Sequence, residues 1–533
     1  MRIWLDMAST SWFRGDECRD DCSVDCSGDC AASTLDNDIF LLTHHSSSIV
    51  RQQIRACTLR QANSLYLLPC GDEHWLVCQP TESGRMAVLD KEALTLLNKF
   101  HVATTIGEVI QQSVWSPTSV EECVALFVQL SFLQDAEQSA RVQSAERTRE
   151  EVLSAWLHVT NACTLRCSYC YLYKTAEQMA PDTARRAVDA VFRSATKHDF
   201  KHVLLKYAGG EASLEMANVL ATHEYATQLA QQHQVNLRAY IMSNGVVLPQ
   251  RSVDQLKAHQ IGIMISLDGI GAYHDSQRPF ISGKGSFSYV ARTITRLLAS
   301  GLIPHINVTV SQRNLAGLSD LTSYILEREL PFTFSYYRDN EYSTHIRDLQ
   351  FADEEMIEGM RRAFNVIEQA LPQRRLIDSL IDKASMNSAH QHTCGVGRTY
   401  LVIDQAGQIA KCHANIKQTV TTIDAEDPLL VIRNDRSGMQ AIPVEEKREC
   451  RTCEWRNWCT GGCPMLTYKI TGRNDVKSPN CAIYKALFPE ALRLEALRLL
   501  KYYDPVIDEV VNGAIEERVT ELPLGSRLTA GIY

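Results

Sequence analysis

From Trp156 onward the chain alternates between two hydrophobic periods. Short apolar runs rich in β-branched and aromatic residues predict strands at 156–160, 202–207, 237–243, 262–267, 305–310 and 332–336. Between them apolar residues recur three and four positions apart, which is the helical period. Strands alternating with helices build a parallel sheet with right-handed crossovers, and six such units fit a partial (β/α)6 TIM-like barrel, an α/β fold. Upstream, the runs 65–68, 75–78 and 86–89 are split by turn residues such as Gly71-Asp72 and Glu82-Ser83-Gly84, so they read as hairpin strands. Helical patterns at 92–99, 106–112 and 120–133 complete a small α+β unit. After about Phe351 the strand signal fades, and 394–481 is short-element and Cys-rich. The expected division is a polar, Cys-containing tail, disordered in part, over 1–60; the α+β unit over 61–136; a charged helical linker over 137–155; the barrel over 156–350; a helical bridge over 351–393; the Cys-rich domain over 394–484; and a helical C-terminal tail over 485–533, opened by a helix at 489–502.

Composition narrows the class without naming a chemistry. At 533 residues the chain exceeds one hydrophobic core. Its apolar fraction of 45%, charged fraction of 22% and net charge of -9 are those of a soluble globular protein, with no excess of Lys and Arg for holding nucleic acid. No apolar run of membrane-spanning length and no basic-then-apolar start appears, so no membrane is expected as a partner and the expected location is cytoplasmic. In that compartment thiols stay reduced, and tight spacings among the 18 cysteines point to metal binding.

The tightest spacing follows the first barrel strand: Cys163-Thr164-Leu165-Arg166-Cys167-Ser168-Tyr169-Cys170. Three thiolates can ligate three irons of a four-iron cluster and leave the fourth open for the amino and carboxylate groups of S-adenosylmethionine. A zinc site would need a distant fourth ligand. The loop falls at the carboxyl end of a strand, where barrels place chemistry. Three later strands end in groups suited to the same ligand. Gly209-Gly210-Glu211 offers close backbone approach and a carboxylate; Ser243-Asn244-Gly245 and Ser266-Leu267-Asp268-Gly269 offer hydroxyl, amide and carboxylate partners.

The Cys-x3-Cys-x-aromatic-Cys loop, the Gly-Gly-Glu and the Ser-Leu-Asp-Gly together resemble the radical S-adenosylmethionine superfamily over roughly 156–336. The resemblance implies catalytic cluster ligation by Cys163, Cys167 and Cys170 and cofactor contacts from Tyr169, Gly209, Gly210, Glu211, Ser243, Asn244, Ser266 and Asp268. Ala212-Ser213 departs from the family's usual Pro-Leu. Downstream, Cys394, Cys412 and the run Cys450-x2-Cys453-x5-Cys459-x3-Cys463, with Cys481, resemble the SPASM extension of peptide and protein maturases. That resemblance implies two auxiliary four-iron clusters, three in all. Cys450, Cys453, Cys459 and Cys481 would hold the outer one, and Cys394, Cys412 and Cys463 the inner one. For the inner cluster's fourth position, an iron open to substrate stands against His390, His392 or a distant thiol.

The unit at 61–136 resembles the PqqD-like, winged-helix-like recognition element, in which a leader peptide adds a strand at the edge of the last strand beside a helix. A generic docking or dimerisation domain is the alternative. The implied activity is reductive cleavage of S-adenosylmethionine to a 5'-deoxyadenosyl radical and oxidative modification of a ribosomal precursor peptide, by a thioether, C-C or C-O crosslink. The implied partners are that peptide, bound through its leader, and an electron donor such as flavodoxin or ferredoxin. A sulfatase-activating maturase is the alternative within enzymes, and a non-catalytic iron-sulfur redox sensor the alternative outside them. His274, Asp275, Arg278 and 336–339 fall near the expected substrate cavity as either positioning or structural residues. Cys18, Cys22, Cys26 and Cys30 recur every fourth position among Asp, Ser and Gly; a silent tail, metal or redox duty, and a segment that is itself substrate all fit them.

Overall fold

The first barrel strand, Val152–Thr160, is buried from Leu153 to its end, as expected of a strand covered on both faces. In a computed structural model describing residues 1–6, 54–137 and 151–508, it opens a parallel series with His202–Gly209, Asn236–Ser243, Gly262–Ser266, His305–Val310 and Phe332–Tyr336, neighbours in space in their chain order. Helices Pro181–Lys197, Met216–His233, Gln250–Ala258, Phe287–Ala299 and Leu318–Leu326 make the crossovers. The first of these shows why the period reads as helix: Ala184, Ala187, Val188, Val191 and Ala195 fall on one buried face. Because all six strands run the same way, their carboxyl ends share one edge, and the loops leaving that edge build the site. The fold is mixed α/β with a parallel sheet.

Three strands continue this sheet where the sequence signal was expected to fade. Tyr400–Ile403 pairs in parallel with the first strand, Tyr400 opposite Ser154, and Gln408–Ala410 and Thr419–Thr422 follow antiparallel. Each spans only three or four residues, too few for a period to stand out, and all four side chains of Tyr400–Ile403 are buried, so no alternation marks it. The C-terminal helix runs Cys481–Tyr502, starting before the expected 489 because Pro489 is carried inside it.

In the front unit the hairpin strands are Tyr66–Pro69, His74–Cys78 and Met86–Asp90, and the helices are Lys91–Asn98, Ile106–Gln111 and Pro117–Gln129. Each helix starts on a side-chain cap: Asp90 accepts from the Ala93 N–H, Thr105 and Glu108 form a capping box, and Ser116 accepts from the Ser119 N–H. Two strands join this sheet from far away in sequence. Arg2–Trp4, in the stretch assigned to a polar tail, lies against Met86–Asp90, and Ile507–Asp508 lies against Arg2–Trp4. Cys18, Cys22, Cys26 and Cys30 and most of the charged linker lie outside the described residues. Among the described residues no helix is long and apolar enough to cross a membrane.

Candidate active site

The Cys163–Cys170 loop is fixed by backbone bonds on two sides. On one side the Gly210 N–H donates to Thr160 O (2.7 Å) and the Glu211 N–H to Ala162 O (2.8 Å). A Cβ on Gly209 would lie 2.4 Å from Thr160 O, and one on Gly210 would lie 2.3 Å from Ala162 O, so only glycine permits this approach. On the other side the Arg166 N–H donates to Pro279 O (2.8 Å) and the Ser168 N–H to Gln277 O (2.9 Å), from the segment after the fourth strand. The second and fourth strands therefore hold the thiol loop between them.

The polar residues expected from sequence meet at this loop. Glu211, 1% exposed, accepts from Ser213 N–H (3.1 Å) and Ser243 Oγ (2.8 Å) on one oxygen and from Asn244 N–H (2.7 Å) on the other. Asn244 Nδ2 in turn donates to Thr164 Oγ1 (3.2 Å) and Cys163 Sγ (3.7 Å). Glu211 thus shapes the loop after the third strand as well as facing the thiols. Asp268, also 1% exposed, accepts from Tyr169 Oη (2.6 Å) and Thr309 N–H (2.9 Å), with Arg278 3.6 Å away; Arg278 also donates to Tyr169 Oη. Burial raises the Asp268 carboxyl above its ordinary range, with Arg278, Tyr169 and Thr309 pulling the other way. Burial works against the Arg278 charge too, but Cys167, Tyr169 and Asp268 hold the guanidinium protonated. Ser266 ends the fourth strand, half-buried.

Burial holds Cys163 and Cys167 in the thiol form. Burial pushes Cys167 up to about 12, opposed by Arg278, and raises Cys163, opposed by Lys174. Bare, these two are protonated at neutral pH, and a metal or cluster taking them as ligands would release those protons. Lys174 Nζ donates to Cys170 Sγ at 2.9 Å, and Asn340 Nδ2 to Tyr169 O at 2.8 Å. Neither residue was expected from sequence. Lys174 had a usable signal, a cation one helical turn's spacing beyond Cys170, whereas Asn340 reaches the loop from beyond the sixth strand and had none.

The other loop candidates are held by contacts within the fold. His274 Nδ1 accepts from the Asp268 N–H (3.2 Å), and its Nε2 meets Ser286 Oγ (3.1 Å). Asp275 accepts from the Phe287 N–H (2.7 Å). Tyr337 Oη donates to Ser343 Oγ (2.8 Å), and Arg338 pairs with buried Asp382 at 2.6 Å.

In the Cys-rich domain, Cys450, Cys459 and Cys481 are raised, with Cys453 close enough to contribute to all three. Burial acts first, taking Cys450 to about 11 and Cys459 to about 12. Cys394 and Cys412 pack in one buried cluster with Trp156 and Ala208 of the first two barrel strands. Lys447, unforeseen in sequence, sits among both sets: its ammonium donates to Thr460 O (2.8 Å), burial lowers its pKa, and Cys450, Cys459, Cys394 and Cys463 counter that. His392 is pushed down to about 4 by burial, Lys447 and His390. Among the described residues no three His, Cys, Asp or Glu converge on a single ion. A polynuclear cluster, each iron taking one thiolate, fits a loop of three spaced thiols beside a glycine cradle and a buried cation.

Residues 157–313 match the family model described as the Radical SAM superfamily. The chain carries a radical S-adenosylmethionine domain and is an enzyme of that kind. It is similar to the cysteine-type anaerobic sulfatase-maturating enzyme of Clostridium perfringens, 20% identical over 57% of this chain and 86% of the relative. It is also similar to the PqqA peptide cyclase of Bradyrhizobium diazoefficiens, 20% identical over 64% of this chain and 90% of the relative. Among solved structures, native anSMEcpe with bound AdoMet and Kp18Cys peptide aligns over 65% of this chain and 99% of that one, at a TM-score of 0.54 and 18% identity, and shares the fold.

Proposed function

We infer that this chain is a maturase that oxidatively modifies a peptide or protein. In this reading Cys163, Cys167 and Cys170 hold a four-iron cluster whose remaining iron takes S-adenosylmethionine. When bound, that pair supplies a 5'-deoxyadenosyl radical able to remove an unactivated hydrogen. The chain's own residues bind, orient and insulate. Glu211, Ser243 and Asn244 present oxygen and amide groups beside Cys163, and Tyr169, Asp268 and Arg278 fix the far side of the loop. Trp156 and Ala208, at the first two barrel strands, pack in one apolar cluster with Cys394 and Cys412.

Further residues extend the reading. Cys450, Cys453, Cys459 and Cys481 would hold one auxiliary cluster, and Cys394, Cys412 and Cys463 another, suited to taking up the second electron of a two-electron oxidation. The front sheet would capture a leader, and a flavodoxin or ferredoxin in the cytoplasm would supply electrons. The observation that carries the reading is the cradle, in which Gly209 and Gly210 bring a buried carboxylate against a three-thiol loop. The test is anaerobic reconstitution with iron and sulfide, followed by S-adenosylmethionine and dithionite. Formation of 5'-deoxyadenosine by the wild type and its loss in Cys167→Ala is expected; none from fully loaded wild type would remove the reading.

A further inference from the structure

In the charged stretch 445–449 the side chains of Glu445, Glu446, Arg448 and Glu449 are exposed, whereas Lys447 is 2% exposed and turns inward. Its carbonyl accepts from the N–H groups of Cys450 (3.0 Å) and Arg451 (3.1 Å), and its ammonium donates to Thr460 O at 2.8 Å. The loop it reaches joins Cys459 to Cys463 through Thr460, Gly461 and Gly462, all left-handed, at φ of 46°, 78° and 67°. A Cβ on Gly461 would lie 2.6 Å from Lys447 Cδ, so the lysine lies against bare backbone there. Thr393, the residue before Cys394, donates to Gly462 O (2.9 Å) and has its Oγ1 2.8 Å from Thr460 Oγ1. The segments carrying Cys450, Cys459 with Cys463, and Cys394 therefore meet at one ammonium.

That ammonium has no carboxylate beside it. Arg278 and Arg338, which also lie near thiols, are balanced by Asp268 and Asp382. Among the described residues no Asp or Glu pairs with Lys447, and the charges acting on it most strongly are those of Cys450, Cys459, Cys394 and Cys463. The first two belong to the set assigned to the outer auxiliary cluster and the last two to the inner set. A buried ammonium without an anion is strongly disfavoured. Protonated thiols do not supply that anion, but thiolates around iron do. A four-iron cluster held by thiolates is a net anion, and an added electron raises its negative charge by one. The thiols and the cation thus fit a pair of such clusters.

We propose that Lys447 is the shared countercharge of the two auxiliary clusters and favours the reduced form of both. This rests on the auxiliary-cluster part of the maturase reading and gives one residue a defined part in it. An ammonium at the loop joining the two ligand sets is attracted more strongly by either cluster after it has gained an electron than before, and in a buried setting water screens that attraction little. Lys447 thereby raises both reduction potentials. The pair becomes a better acceptor for the single electron that a substrate radical must lose. Lys447 touches neither substrate nor reacting carbon and acts only through its charge, so it is a positioning residue.

The experiment reconstitutes the full chain carrying Cys163→Ala/Cys167→Ala/Cys170→Ala with iron and sulfide, so that only auxiliary iron remains, and follows its redox titration by electron paramagnetic resonance. In that background Lys447→Gln, which keeps a donor for Thr460 O, is compared with Lys447→Arg, which keeps the charge. Lys447→Gln is expected to lower the reduced-to-oxidised ratio of both clusters about tenfold at a fixed potential, a downward shift of roughly 59 mV for one electron, with Lys447→Arg close to the parent. Unchanged potentials in Lys447→Gln overturn the proposal, because a neutral donor then suffices; a shift confined to one cluster, or equal shifts in both variants, overturns it as well. Where Lys447→Gln retains no iron, full loading of Lys447→Arg supports the countercharge and loss of iron from both overturns it. A parent that binds no iron removes the auxiliary clusters and the proposal with them, and leaves the 5'-deoxyadenosine test of the radical site to be decided separately.

Discussion

Asp268 shows what a single residue owes to its surroundings. Its carboxylate faces Tyr169, Arg278 and Thr309, partners drawn from the thiol loop, the fourth crossover and the fifth strand. Replacing it by alanine leaves Arg278 buried without its countercharge, a loss of roughly 3–5 kcal/mol for a broken buried pair. Asp268→Ala is therefore expected to lower the denaturant midpoint of the apo-protein strongly, and Asp268→Asn, which loses the same charge and keeps an oxygen for only one of Thr309 and Tyr169, nearly as much. A midpoint close to wild type in both variants would show that Arg278 finds its compensation elsewhere. Glu211→Gln is expected to cost roughly 1–3 kcal/mol, because an amide NH2 would face the donating Asn244 N–H or leave Ser213 and Ser243 unanswered. A midpoint identical to wild type would assign Glu211 to ligand contact alone. Sequence spacing picked out Asp268 and Glu211 as chemically suited groups. Most of their partners were not legible, since the contacts to Ser243, Asn244, Thr309 and Tyr169 join positions 32 to 99 residues apart.

Among elements, the seam between the second strand and the thiol loop is the most demanding. A methyl at Gly209 or Gly210 collides with backbone oxygens rather than with a side chain that can swing aside. Gly210→Ala is expected to push the loop from the strand at a cost of about 1–3 kcal/mol, typical of overpacking. It should also cut the iron retained per chain after reconstitution. Full iron loading with an unchanged melting temperature would show that the loop can re-seat. The six parallel strands were legible because each has a buried apolar run bounded by polar turns, and each was placed to within a few residues. Arg2–Trp4 and Tyr400–Ile403 were not. A three- or four-residue strand has no period to count, and what makes it a strand is an edge supplied by residues far away in sequence.

At the scale of the whole molecule, burial of neutral imidazoles ties stability to pH. His158, on the first strand, is pushed down to about 4, chiefly by burial with Lys174 adding and its Asn161 contact opposing; His274, under Asp268, is pushed down to about 3 by burial and by Arg278. Unfolded, each titrates near 6.5, so below that value the unfolded chain binds protons that the folded chain refuses. Stability then falls with falling pH, by up to about 1.4 kcal/mol per unit for each group. Burial moves His202 and His223 in the same direction. Acidic groups whose folded pKa is raised by burial, such as Glu82, Glu215 and Asp353, act oppositely, but mainly nearer their own ordinary range around pH 4–5. Between pH 7 and 5.5 the histidines dominate, and apo-protein unfolding is expected to lose about 2–3 kcal/mol from His158 and His274 together. His274→Gln should remove close to half of that slope while lowering stability at pH 7 through the lost Asp268 contact. A stability flat across this interval in the wild type would mean that these imidazoles are reached by water, and that the walls holding the thiol loop open more readily than their burial implies.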